Sequence, residues 1–233
     1  MVSKLAKKIL KTGFFRKIFL RKLSRVRESK FLERYSSDLR TLDIGAKSKE
    51  NGRYFPNITT LNLEQHKDVD ILADAENLGG VIKNESFDII LCLSVLEHTK
   101  RPEKIIREIK RILKKEGLVI VTVPFIMSLH DTPDDYWRFT KYGLLELFKD
   151  FELVEIKENM NSLETMGYLY HRLFLQTEVL GTRALSIIFF IFSKCNYLFK
   201  KIITKEYGYI NGKRQESYVL SNGILAVFRK KYE

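Results

Sequence analysis

Seven short apolar runs punctuate the chain, at about residues 39–44, 59–63, 70–72, 87–93, 118–123, 151–156 and 223–228. Their shortness and their density of Ile, Leu, Val and Phe predict buried strands rather than helices. Between the fourth and fifth runs, Ile105, Ile106, Ile109, Ile112 and Leu113 recur at helical spacing. Pro102 suits the first turn of that helix and Gly117 its stop. Thr140 suits the N-cap of a further helix reaching residue 148. Strands alternating with helices predict an α/β fold, a doubly wound, seven-stranded and mostly parallel sheet.

Two stretches lie outside this alternation. Val2, Leu5, Ile9, Phe15, Phe19, Leu23 and Val26 fall on one helical face, with Lys and Arg over most of the remainder. They predict a basic amphipathic N-terminal helix over residues 1–34. Such a helix suits an anionic membrane surface, or packs on its own domain with a solvated basic face. The second stretch, residues 160–215, interrupts the last hairpin and contains the run Ile187-Ile188-Phe189-Phe190-Ile191-Phe192. That run falls short of the roughly 20 residues needed to cross a bilayer. It reads as a buried helix, a dimer contact or a segment resting on a membrane. The predicted organisation is therefore a basic helix over 1–34, a core over 35–159, an apolar helical insertion over 160–215, and the last strand with its tail over 216–233.

Charge sharpens this division. The formal net charge of the 233-residue chain is +12. Residues 1–40 hold 13 Lys or Arg against Glu28, Glu33 and Asp38, so nearly all of the excess belongs to the arm. The basic balance thus says little about the partners of the core, although it would ordinarily raise nucleic acid. Two cysteines make no disulfide framework and point to a reducing cytosol. With no long uncharged run and no signal-peptide layout, the expected location is cytoplasmic, peripheral at the inner membrane surface where the arm docks. His66, His98, His130 and His171 stand far apart in sequence with no cysteine cluster, so no metal is expected.

In an open parallel sheet, ligands bind beyond the carboxyl ends of the strands at the switch point, here between the first and fourth strands. Asp43, Gly45, Ser94 and His98 lie at or just beyond those ends. A glycine at position 45 lets backbone approach a ligand closely. The acid-glycine segment Asp43-Ile44-Gly45, then Asn62-Leu63-Glu64, Asp74-Ala75 and Leu93-Ser94-Val95-Leu96-Glu97-His98, resemble the class I S-adenosylmethionine-dependent methyltransferases. Lys47 and Lys49 stand where the common motif of that family has its second and third glycines. The resemblance implies a Rossmann-like methyltransferase fold and S-adenosyl-L-methionine as cofactor. It assigns Asp43, Gly45, Asn62, Glu64, Asp74, Ala75 and Ser94 to cofactor binding, with Glu64 or Asn62 at the ribose. Asp74 equally suits a turn.

The loop after the fifth strand carries a second signal. His130-Asp131-Thr132-Pro133-Asp134-Asp135-Tyr136-Trp137-Arg138-Phe139-Thr140 resembles a methyltransferase subset whose loop reads His-x-x-Pro-x-Asp-Tyr-x-Arg-Phe-Thr. His130 is the first candidate for a proton acceptor because imidazole titrates near neutrality. Asp134 or Asp135 can orient it or hold acceptor hydroxyls, and His98 is a further catalytic candidate. Tyr136 and Trp137 offer faces to a sugar. Arg138 either binds an anionic group or ties the loop internally to an aspartate. The expected function is methyl transfer to a small-molecule or glycan acceptor, including a lipid-linked intermediate at the membrane surface. One rival is a nucleic-acid methyltransferase, disfavoured because Leu93-Ser94-Val95-Leu96 stands in place of a base-flipping motif. Another is a non-catalytic cofactor-fold module, suggested by Lys47 and Lys49.

Overall fold

The computed structural model of the chain describes residues 23–182, 185–207, 215–216 and 219–231. Most of the predicted basic helix, residues 1–22, lies outside the described residues. The chain divides into two compact units, one of residues 1–29 with 160–222 and the other of residues 30–159 with 223–233.

The larger unit is a seven-stranded sheet. Its strands are β1 (Thr41–Ile44), β2 (Ile58–Asn62), β3 (Ile71–Leu72), β4 (Phe87–Leu93), β5 (Leu113–Pro124), β6 (Phe151–Glu158) and β9 (Gly223–Lys230). They lie in the order β3-β2-β1-β4-β5-β9-β6. All neighbouring pairs are parallel except those of β9, which runs antiparallel to both β5 and β6. The mostly parallel, doubly wound sheet expected from the apolar runs is therefore present.

Helices cover both faces, so the central strands bury side chains in both directions. Successive residues of β4 alternate accordingly. Ile90 and Cys92 join Leu42, Ile44, Val119 and Val121 under Ile105, Ile106, Ile109 and Ile112 of helix α2 (Pro102–Ile112). Ile89 and Leu91 join Ile120, Leu225 and Val227 on the other face, under Phe31, Leu32 and Phe55. Phe31 and Leu32 end helix α1 (Leu23–Glu33) and are buried. The core thus takes in residues before position 35, because this apolar pair is needed to cover the sheet.

Two local readings are settled by geometry. Thr140 caps helix α3 (Lys141–Leu147) by accepting a hydrogen bond from the Gly143 amide at 3.0 Å. Gly117 does not act as a left-handed helix stop. Glu116 takes the positive φ of 61° instead. A Cβ at Gly117 would stand 2.8 Å from Leu113 Cγ and 2.9 Å from the Asp88 carbonyl oxygen. The glycine is required there because β4 and β5 pass too close for a side chain.

The smaller unit holds helices α4 (Ser162–Gln176) and α5 (Ile187–Phe199) and the short antiparallel pair β7 (Glu206–Tyr207) and β8 (Gln215–Glu216). Asn161 and Glu164 form a capping box at the start of α4. Glu164 also pairs with Arg27 at 2.6 Å and Lys200 at 3.3 Å. The apolar run at residue 187 opens α5. Phe190 packs on Phe174 and Phe192 on Tyr170, while Ile187, Ile188, Ile191, Leu198 and Phe199 stay exposed. No helix among the described residues is long and apolar enough to cross a membrane.

Candidate active site

The carboxyl ends of β1 and β4 are adjacent, with Ile44 paired to Cys92. The chain breaks out of β1 at Gly45, whose φ of +77° is the left-handed conformation that favours glycine. A Cβ there would lie 2.6 Å from Val95 Cγ2, so the loops after β1 and β4 meet backbone to side chain. Asp43 is buried and accepts a hydrogen bond from Asn51 Nδ2 at 2.9 Å. Asp43 and Glu97 both act on Cys92: burial first, then these two negative charges, push its thiol up. The two carboxylates therefore flank one buried point at the switch of the sheet.

The remaining cofactor candidates stand at or just after the ends of β2, β3 and β4. Asn62 is buried and donates from Nδ2 to the carbonyls of Gly45 at 3.2 Å and Ala46 at 3.1 Å. Its Oδ1 accepts from the Glu64 amide at 2.9 Å. Asn62 thus shapes the loop after β1, whereas the Glu64 carboxylate is exposed, 3.6 Å from His66 Nε2. Lys49 pairs with Asp70 at 2.7 Å, which holds the glycine-poor loop to the neighbouring strand. Asp74 is exposed, and its Oδ1 accepts from the Glu76 amide at 2.8 Å in a turn; Ala75 packs partly buried against the core. Ser94 leaves β4 with φ of 55°, its hydroxyl 3.5 Å from that of Thr122.

The loop after β5 folds back onto the segment after β4. The amides of Tyr136 and Trp137 donate to the Glu97 carbonyl at 2.8 and 3.3 Å, and Trp137 Nε1 donates to the Thr99 carbonyl at 2.8 Å. His98 and His130, 32 residues apart in sequence, become neighbours with ring centroids 5.0 Å apart. The sequence reading of isolated histidines is corrected by this docking. Glu97 lies between them: its Oε1 is 3.9 Å from His98 Nε2 and 3.9 Å from His130 Nε2. The Glu97 side chain is 1% exposed, against 25% for His98 and 16% for His130, so the carboxylate forms the floor and the imidazoles the rim.

Asp135 supports His130. Its Oδ2 accepts from the His130 amide at 3.0 Å and lies 3.4 Å from Nδ1. Arg138 grips the same carboxylate twice, at 2.6 and 2.7 Å, and holds it far below the usual carboxylate range. Of the two readings of Arg138, the internal tie is therefore the one formed. Burial lowers the His130 pKa, with Asp135 opposing it. The Asp134 carboxylate accepts from the Tyr136 hydroxyl at 2.6 Å and does not reach His130; only its carbonyl touches the site, at 2.5 Å from His98 Nδ1. Of the two aspartates left open by the sequence, Asp135 is the one that meets His130, and Glu97 was not singled out. The only sequence signal was an acid beside His98 just after the fourth strand; that it is buried, as Glu seldom is, is known from the fold.

The comparisons agree with this fold. The model of the methyltransferase domain family matches residues 26–121. An uncharacterised protein of Methanocaldococcus jannaschii is 29% identical over 102 residues, 42% of this chain and 45% of that one. The ubiquinone biosynthesis O-methyltransferase of Glaesserella parasuis is 43% identical over 42 residues, 18% of each chain. The matched stretches thus span less than half the length of either relative. A solved structure from Thermotoga maritima, described as an S-adenosylmethionine-dependent methyltransferase and possible histamine N-methyltransferase, superposes with a TM-score of 0.53. It has 17% identity, with 98% of this chain and 99% of that one covered. The match of a methyltransferase domain model to residues 26–121 and the superposition on the solved methyltransferase structure agree with the strand order β3-β2-β1-β4-β5-β9-β6 in showing a Rossmann-like methyltransferase fold.

Proposed function

We propose that this chain transfers the methyl group of S-adenosylmethionine to a small acceptor, a glycan or lipid-linked intermediate met at the cytoplasmic face of a membrane. The observation that carries the reading is the meeting of the Asp43 edge with the Glu97, His98 and His130 cluster at the ends of adjacent strands. The residues present suit the cofactor: Gly45 lets the chain turn sharply out of β1 at a positive φ with no side chain of its own, and Asp43 is a buried acid suited to a cationic ligand. Asp43, Gly45, Asn62, Glu64, Asp74, Ala75 and Ser94 are the residues assigned to hold it. Bound there, the cofactor supplies a methyl group on a sulfonium leaving group.

The chain's own part is to align the acceptor and exclude water. The loop of residues 128–139 is tied by Arg138 to Asp135 and by Trp137 to Thr99, so it roofs the ends of β4 and β5 as a fixed element. His130 and His98 are the groups placed to engage the acceptor. The half-exposed rings of Tyr136 and Trp137 on the same loop support a sugar-like acceptor. The exposed apolar residues of α5 support a peripheral membrane setting.

Isothermal calorimetry of the full chain with S-adenosylhomocysteine tests the cofactor assignment. We expect saturable heat with one site per chain. No heat at millimolar ligand, together with no nucleoside found by mass spectrometry of the denatured protein, overturns it.

A further inference from the structure

We infer that Glu97, His98 and His130 form a binding site for one first-row divalent transition-metal cation. The inference rests on the methyl-transfer reading and deepens it, because it says how the acceptor is engaged. Oε1 of Glu97 lies 3.9 Å from Nε2 of each histidine, and one ligand atom from each of the three residues lies within 4.8 Å of the others. Ligand atoms sharing an ion at about 2.1 Å stand roughly 3.0–3.4 Å apart. Closing the cluster therefore takes about an ångström of movement, which small ring rotations provide.

The tautomers are set for coordination. The Asp134 carbonyl lies 2.5 Å from His98 Nδ1. A carbonyl only accepts, so Nδ1 carries the proton and the neutral ring keeps its lone pair on Nε2. In His130 the Ser128 carbonyl at 3.3 Å and Asp135 Oδ2 at 3.4 Å fix Nδ1 as the donor in the same way. Metal-bound histidines show this arrangement, with one nitrogen donating to a carbonyl or carboxylate and the other aimed at the ion. Here both Nε2 atoms aim at one carboxylate oxygen on a buried floor. Two imidazoles and a carboxylate suit ions from manganese to zinc rather than magnesium or calcium, which prefer oxygen throughout. Three protein ligands leave positions open on the solvent side, where the histidines are partly exposed.

The cation's role follows from those open positions. A hydroxyl of the acceptor coordinates to the cation, becomes more acidic and releases its proton to solvent. The alkoxide lone pair then attacks the methyl carbon. The carbon–oxygen bond forms as the carbon–sulfur bond breaks, and the pair of that bond returns to sulfur as the neutral thioether. No redox change is involved.

The test uses cobalt(II) as probe on the full chain after treatment with EDTA. We expect one equivalent of cobalt to give a visible ligand-field band that zinc displaces. His98→Ala and His130→Ala should each weaken cobalt binding at least tenfold. Asp135→Asn, a positioning change, should weaken it by about ten- to a hundredfold, and His171→Ala in the smaller unit should leave it unchanged. Retained calorimetric binding of S-adenosylhomocysteine shows that each variant is folded. Absence of the cobalt band, or its persistence in both histidine variants, overturns the cation site while leaving the methyl-transfer reading standing. Failure of S-adenosylhomocysteine to bind the EDTA-treated parent chain removes that reading and the cation's role with it.

Discussion

Gly45 shows how much a single position can carry. Its φ of +77° and the 2.6 Å separation of a would-be Cβ from Val95 Cγ2 are separate constraints, each of which penalises any side chain. Placing Ala in the left-handed region costs about 1–2 kcal/mol, and Val95 must also shift. Gly45→Ala should therefore lower the urea unfolding free energy by at least about 1 kcal/mol. It should also weaken S-adenosylhomocysteine binding at least tenfold by calorimetry. An unchanged affinity would show that the loop after β1 does not cradle the cofactor. This glycine, and Asp43 two residues earlier, were legible because a strand end followed by an acid and a glycine is a local pattern. The choice between Asp134 and Asp135 was not: the two have the same chemistry, and only the fold decides which one turns toward His130.

At the scale of elements, helix α2 depends on more than its apolar face. Glu108 accepts from the Leu78 amide at 2.9 Å and from Arg111 Nη2 at 2.6 Å, tying the helix to the segment between β3 and β4. The Arg111 hydrogen bonds hold its carboxyl below the ordinary value, against an opposing contribution from burial. A carboxyl lowered by folding stabilises fully above its unfolded pKa of about 4.3. That contribution drains away as the pH falls through the lower folded value. Glu108→Gln should cost about 1–2 kcal/mol at pH 7. The difference from the parent should shrink in urea unfolding at about pH 3, below the unfolded carboxyl value. A constant difference across this range would assign the loss to packing instead of charge. The helix itself and the Thr140 cap were readable from periodicity and capping chemistry. The role of Gly117 was not, because a glycine near a helix end looks the same whether it supplies a positive φ or makes room for the neighbouring strand.

For the whole molecule, the open question is what meets the exposed apolar residues of α5. In the membrane setting proposed above, the full chain should float with vesicles of phosphatidylcholine and phosphatidylserine. An Ile191→Glu, Leu198→Glu double variant should float at least several-fold less. Both residues are exposed, at 55% and 76%, so the changes leave the contacts between α4 and α5 in place. Equal flotation of the two proteins would remove the membrane setting and leave the enzyme assignment untouched.

The sequence by itself determined the order of strands and helices, the acid-glycine break at the end of β1, and the loop that overhangs β5. Each of these is written in spacings of a few residues, where backbone sterics and the burial of apolar side chains act locally. Tertiary structure alone decided that Glu97 and His98 face His130, because hydrogen bonds from Tyr136, Trp137 and Trp137 Nε1 fold one loop onto another. A contact between groups 32 and 33 residues apart leaves no period or spacing in the chain. It arises only when the sheet sets β4 beside β5 and brings their ends to one edge.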